Sequence, residues 1–228
     1  NGKTLCGPLT FHLPANQRVA LVGQSGAGKS ALMNALLGFL PYQGSLRVNG
    51  MELRDIIRDN WHQHLAWVGQ NPHLPASTIR DNILMNESYS ESRFTESLKT
   101  CGINEFLPRL PQGLKTILGD GGTGLSVGQA QRIAVARALY KPARLLLLDE
   151  PAASLDALSE SLVMQALNQA ARQQTTLMIT HQLDNLKEWD AIWVMQNGQL
   201  IQQGNWHQLS EQSGAFKQMM KHRQQEIS

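Results

Sequence analysis

Cysteine, long apolar runs and net charge are all scarce in this 228-residue chain, and each shortage excludes something. The two cysteines, Cys6 and Cys101, lie far apart in no Cys-x-x-Cys or Cys/His spacing, so neither a disulfide framework nor a zinc site is indicated. A reducing, cytosolic setting fits. No apolar run approaches the ~20 residues needed to cross a bilayer, and the N-terminus has neither the charged nor the apolar region of a signal peptide. Charged residues make up 17% and the formal net charge is only +2, so no polyanion surface is implied and nucleic acid is not an expected partner. With 42% hydrophobic residues the chain is not disordered, and its length suits one α/β unit with subdomains. There is no internal repeat. The first residue is Asn1, which reads as a segment excised from a longer polypeptide.

Residues Leu9–Leu13 and Arg18–Val22 read as strands, and the second runs through a glycine turn into a helix over about Lys29–Leu37. "SLRV", between Gln43-Gly44 and Asn49-Gly50, reads as a short strand, and Trp67–Gln70 as another, stopped by Asn71-Pro72. Ser77 to about Pro111 has helical spacing, with a glycine-rich turn at Gly119–Gly124 and a helix through about Tyr140 after it. Leu145–Leu148 is an all-apolar run, as in a strand covered on both faces. A helix over about Ala157–Arg172, a strand at Thr176–Ile179, a hairpin at Asn197-Gly198 and a polar helical tail complete the pattern.

"GQSGAGKS", Gly23–Ser30, matches G-x-x-x-x-G-K-[ST] between a predicted strand and helix, the context the motif requires. Gly23, Gln24, Ser25, Gly26, Ala27 and Gly28 would turn backbone N–H groups around a phosphate, with Ala31 in the first helical turn. Lys29 would reach the β- and γ-phosphates, and the Ser30 hydroxyl would bind Mg²⁺. A chance match arises in roughly one chain in a hundred of this length, and the flanking elements lower that further. Asp149 and Glu150 follow the apolar "LLLL" at a strand's carboxyl end, where open α/β sheets bind ligands. Asp149 is the expected Mg²⁺ partner and Glu150 the group that polarises an attacking water. Nucleoside triphosphate with Mg²⁺ is the inferred ligand.

Taken in order, "GQSGAGKS", "VGQNP", "LSVGQ", "LLLLDE", "SLD" and "MITHQ" resemble the ATP-binding cassette of ABC transporters over nearly the whole chain. The resemblance implies an α/β fold: a RecA-like P-loop core with an antiparallel β-subdomain and an inserted helical subdomain. Residues 1–76 and 141–205 would form the core and β-subdomain, 77–140 the helical subdomain, and 206–228 a C-terminal helical tail. It also implies a head-to-tail dimer with a second cassette, homo- or heteromeric, holding two ATP molecules, and a transmembrane domain upstream. Carried over by position, Gln70 would contact Mg²⁺ or the attacking water, and His181 would contact the γ-phosphate and orient Glu150. Ser126, Val127, Gly128, Gln129 and Asp156 would serve the partner's ATP. Alone, Gln70 could be a surface residue before a proline turn, Asp156 a helix N-cap and His181 a loop histidine.

Two departures from the family pattern stand out. Val127 replaces a glycine of the LSGGQ-type segment, which requires ordinary dihedrals there, and the first position of a helix is expected. The second concerns adenine: Phe11 is the only Phe, Tyr or Trp between Asn1 and Gly23 and lies too late in the chain for the family's stacking role, so the stacking residue either precedes Asn1 or is absent. "STIRDNI" and "LGDGGTGLSVGQ", with Asp120 where glutamate is usual, resemble exporter cassettes. "GFLPYQGSLRVNGMELRD" and "WDAIWVMQNGQL" are similar to one half of the heterodimeric exporters of cysteine and glutathione that serve cytochrome bd assembly, at the cytoplasmic face of the inner membrane. A non-transport ABC clamp would need long coiled-coil insertions or tandem cassettes, neither of which is present. A regulatory module that binds ATP without hydrolysing it is disfavoured by Glu150 and His181.

Overall fold

A computed structural model describes residues 6–122, 124–153 and 155–227. The chain runs β1 (Arg18–Gly23), α1 (Lys29–Leu36), β2 (Arg47–Val48), β3 (Met51–Glu52), α2 (Arg58–Gln63), β4 (Leu65–Val68), α3 (Ile79–Leu84), α4 (Glu91–Thr100) and α5 (Val127–Tyr140). It continues through β5 (Leu145–Asp149), α6 (Ala157–Ala171), β6 (Thr175–Ile179), β7 (Ala191–Gln196), β8 (Gln199–Gly204), α7 (Trp206–Glu211) and α8 (Ala215–Ile227). Two compact units result, one from the chain up to His64 with Thr175 onward, the other Leu65–Gln174.

In the first unit β1 is the central strand, parallel to β6 on one side, with Val19 opposite Leu177, and to β7 on the other, with Ala20 opposite Ile192. Both faces are covered. Val19, Ala20, Leu21 and Val22 are fully buried, and burial of a valine or leucine side chain contributes roughly 1.5–3 kcal/mol before chain entropy is counted. That is why this strand shows no polar alternation. β8 closes the edge antiparallel to β7 through the Asn197-Gly198 turn, whose positive φ values (50° and 76°) suit the twist of a two-residue hairpin. Arg18 ties the start of β1 to the start of β7: its backbone N–H, Nε and Nη2 all donate to the Asp190 carboxylate, at 2.8, 3.2 and 3.1 Å.

The β2–β3 hairpin is antiparallel and organised by one carboxylate. Glu52 accepts from Ser45 Oγ (2.6 Å), Leu46 N–H (2.9 Å) and Tyr42 O–H (3.0 Å). These bonds, the one from Ser45 foremost, pull its pKa down to about 2. At the other end of the chain, Phe216 of α8 is fully buried and meets Trp206 of α7 edge-on at 5.4 Å.

In the second unit β4 and β5 pair in parallel, from Leu65 opposite Leu145 to Val68 opposite Leu148. Helix α5 is apolar nearly all round, with Ile133, Val135 and Ala136 fully buried, and it packs against α3, α4 and α6. Its polar side chains brace neighbouring loops. Arg137 donates to the carbonyls of Asn82 (2.8 Å) and His73 (3.0 Å), and Arg132 to Gly102 O (3.1 Å) and Glu105 (2.9 Å) while lying over the Phe106 ring.

Two expectations are corrected. Leu9–Leu13 is not a strand: Pro8 and Pro14 bracket it, both sides of β1 are already taken by β6 and β7, and Phe11 packs instead on Trp193 at 5.3 Å. The strand expected at Trp67–Gln70 is Leu65–Val68, two residues earlier, because the apolar pair Leu65-Ala66 is buried and Gln70 is exposed.

Candidate nucleotide-binding site

The loop after β1 is shaped by a close backbone approach. A Cβ on Gly23 would lie 2.3 Å from the Met195 carbonyl oxygen of β7, so only glycine lets the chain leave the sheet here. Gln24, Ser25 and Gly26 are exposed, Ala27 is buried, and its carbonyl accepts from Gly198 N–H at 3.1 Å. Gly28, at φ 95°, caps α1 with no side-chain hydrogen bond, so the first turn of this eight-residue helix begins without an internal anion. Lys29 is buried, 7% exposed, and its Nζ donates to the carbonyls of Gly23 (2.8 Å) and Gln24 (3.0 Å). Ser30 is exposed beside it and Ala31 half-buried. A buried ammonium folded onto the loop's own carbonyls, next to a helix N-terminus without a side-chain cap, is a preformed cationic cradle that suits a phosphate.

His181 stands at the same end of the first unit's sheet. Leu21 pairs with Ile179, Thr180 N–H donates to Leu21 O at 3.3 Å, and exposed His181 follows. Its carbonyl accepts from Arg223 Nη1 of α8 at 2.7 Å, while Arg223 also pairs with Asp184 at 3.3 Å. The helical tail thus fastens the His181 loop, a role for Arg223 that nothing in the local sequence announced.

In the second unit, β4 and β5 bring Gln70 and the two carboxylates to one edge. With Val68 opposite Leu148, Gln70 and Glu150 each lie two residues past a matched pair, and Asp149 ends β5. Gln70 is exposed, and Asp149 and Glu150 are half-buried. Glu150 has φ 48°, in the left-handed region that a non-glycine residue rarely occupies, so the backbone turns sharply just where the second carboxylate projects.

The Leu125–Gln129 segment opens α5. Ser126 is the N-cap, its Oγ accepting from Gln129 N–H (3.2 Å) while Gln129 Oε1 accepts from Ser126 N–H (3.0 Å), a reciprocal capping box. Val127 is the first helical residue and 58% exposed, as its side chain requires. Gly128 is buried for a reason of packing: a Cβ there would lie 2.5 Å from Ser159 Oγ and 3.5 Å from an Asp156 carboxylate oxygen. Asp156 is itself the N-cap of α6, accepting from Ser159 N–H at 3.0 Å, and that bond holds its carboxyl below the usual range. Ser154 of "SLD" lies outside the described residues.

The donor types fit Mg²⁺, a hard ion that takes a hydroxyl, an amide oxygen and one or two carboxylates and draws its remaining ligands from phosphate and water. Among the described residues no cluster of three or more Asp, Glu, His or Cys side chains forms a metal cage.

Residues 6–153 match the family model of the ABC transporter. The chain belongs to that family. It is 60% identical over 227 residues to the glutathione/L-cysteine transport system ATP-binding/permease protein CydD of Escherichia coli, covering 99% of this chain and 39% of that protein. It is 54% identical, over all of this chain and 39% of the relative, to the transport ATP-binding protein AarD of Providencia stuartii. Among solved structures it matches a bacterial Atm1-family ABC exporter with ATP bound, at TM-score 0.88 and 32% identity, over 96% of this chain and 39% of that one. The chain therefore spans about two-fifths of the length of these relatives. The fold class is that of an exporter-type nucleotide-binding domain, mixed α/β with a parallel core and an antiparallel β-subdomain, and the domain is an ATP-hydrolysing enzyme of the ABC type.

Proposed function

We propose that this domain couples Mg²⁺-dependent ATP hydrolysis to export across the inner membrane, as the cytoplasmic motor of a transporter whose membrane domain is carried elsewhere in the polypeptide. The observation that carries the reading is the Lys29 cradle at the uncapped start of α1. Gly23–Ala31 would hold the triphosphate. Lys29 would leave the carbonyls of Gly23 and Gln24 for the β- and γ-phosphates, exchanging neutral acceptors for charged ones. Ser30, Asp149 and Gln70 would hold Mg²⁺, which when bound neutralises phosphate charge. Glu150 would accept the proton of a water whose oxygen bonds to the γ-phosphorus as the β–γ bridging P–O bond breaks and ADP leaves. His181 would orient that reaction from the γ-phosphate side.

Ser126, Val127, Gly128, Gln129 and Asp156 would face the ATP of a second cassette in a head-to-tail dimer. Residues 77–140 form the helical subdomain in this reading. The relatives' printed function supports cysteine or glutathione as cargo. Glu150→Gln should keep ATP binding and lower turnover by 10²–10⁴-fold, the typical worth of a general base. Turnover near the parent's level would remove Glu150 from its role. ATP-dependent uptake of labelled cysteine or glutathione into inverted membrane vesicles carrying the full-length protein and its partner checks the cargo, and uptake indifferent to ATP would reject it.

A further inference from the structure

Gln131, Arg132, Arg137 and Tyr140 of α5 all reach backbone outside the helix, and Gln131 reaches both loops that carry Gln70 and Glu150. Gln131 is 1% exposed. Its Nε2 donates to Gly69 O at 3.1 Å and to Pro151 O at 2.6 Å, both N–H bonds going to residues adjacent to those two. The amide orientation is unambiguous, since a carbonyl on each side can only meet the donor end. Its Oε1 is buried with no hydrogen-bond partner among the described residues.

An apolar side chain of similar length would fill the same space without leaving a buried acceptor unsatisfied, so the amide is not the choice that packing alone would make. What it supplies is a fork: two donors on one planar group that fix the spacing between the end of β4 and the turn after β5. Glu150 sits in a left-handed backbone conformation one residue before Pro151, and such a conformation persists only where its surroundings over-determine it. Gln131 is four residues, about one helical turn, from Val127, the first residue of α5, so the fork also ties both loops to the helix that opens with Ser126–Gln129.

We infer that Gln131 is a positioning residue for hydrolysis: it touches neither nucleotide nor water, and its carboxamide sets the backbone on which Gln70 and Glu150 are presented. This rests on the roles of Gln70 and Glu150 given above. The test uses the full-length transporter with its partner. Gln131→Met keeps volume and removes both donors, and it should lower kcat about ten-fold or more, leave KM for ATP within about two-fold, and raise hydrogen exchange in residues 69–74 and 150–155 but not in the Lys29 loop. Gln131→Asn keeps the amide but is one methylene too short to span both carbonyls, and its kcat should fall between parent and Met. If the Met variant does not fold, the Asn variant decides by the same readouts.

A kcat within two-fold of the parent, or a fall in kcat matched by loss of folded protein with no local change in exchange, would overturn the inference. A parent that hydrolyses no ATP would fail the functional reading instead, so the two failures are distinguishable.

Discussion

The worth of Asp190, immediately before β7, to stability can be read from its bonds. Three donors from Arg18 converge on it, and they hold its carboxyl below the ordinary aspartate range. A carboxylate depressed in the folded state contributes stability that is fully present above its unfolded pKa, about 3.9, and that is lost as pH falls through the folded value. With the Asp190 side chain 38% exposed, solvent screening limits the contribution to about 0.5–1 kcal/mol. Asp190→Asn should therefore lower Tm by about 2 °C at pH 7, and the gap between the two proteins should close below about pH 4. A thermal unfolding series across that range checks it, and a gap independent of pH would assign the effect to something other than charge. The thiols contrast with this: burial pushes Cys101 up to about 12 and raises Cys6, which favours the protonated thiol at neutral pH.

At the scale of elements, the start of α5 and the start of α6 explain each other. Gly128 and Asp156 both read in sequence as groups facing a nucleotide, and in the structure Asp156 caps α6 while Gly128 gives Ser159 the room to come close. Gly128→Ala should overpack this crossing and cost about 1–3 kcal/mol. Adding Ser159→Gly removes both of the close atoms, Oγ at 2.5 Å and Cβ at 2.9 Å, and should restore half or more of the loss despite about 1 kcal/mol of helix penalty. Denaturant midpoints of the four proteins form the cycle, and strictly additive losses would show that the two side chains do not meet.

The same pair marks where sequence reading stops. Elements bounded by strong punctuation were legible: the β1-loop-α1 unit, the apolar β5, the long helices α5 and α6 and the Asn197-Gly198 hairpin. Leu9–Leu13 was misread because alternation reports a face, not an available partner strand. The contacts of Gly128, Gln131 and Arg223 join residues about 20 to 60 positions apart, as in the Gln131 bonds to Gly69 and Pro151, and no local pattern records them.

At the scale of the whole molecule, the departure at Val127 would separate what the domain does alone from what it would do in the proposed pair. Val127 has helical dihedrals, a fully formed capping box on either side of it, and a side chain 58% exposed on the surface of α5, so it strains nothing in its own chain. If Ser126–Gln129 serves the ATP of the opposite cassette, the isopropyl group stands in front of N–H groups that would otherwise approach a phosphate. Val127→Gly should then leave ATP affinity of the isolated domain within about two-fold while raising turnover of the assembled pair by about five-fold, the equivalent of one better-formed hydrogen bond of ~1 kcal/mol. Replacing the phosphate-loop lysine of the partner cassette by alanine, so that only this chain's own ATP is hydrolysed, should abolish the gain. A gain that survives that substitution would locate the effect of Val127 in its own chain, and a large affinity change in the isolated domain would do the same.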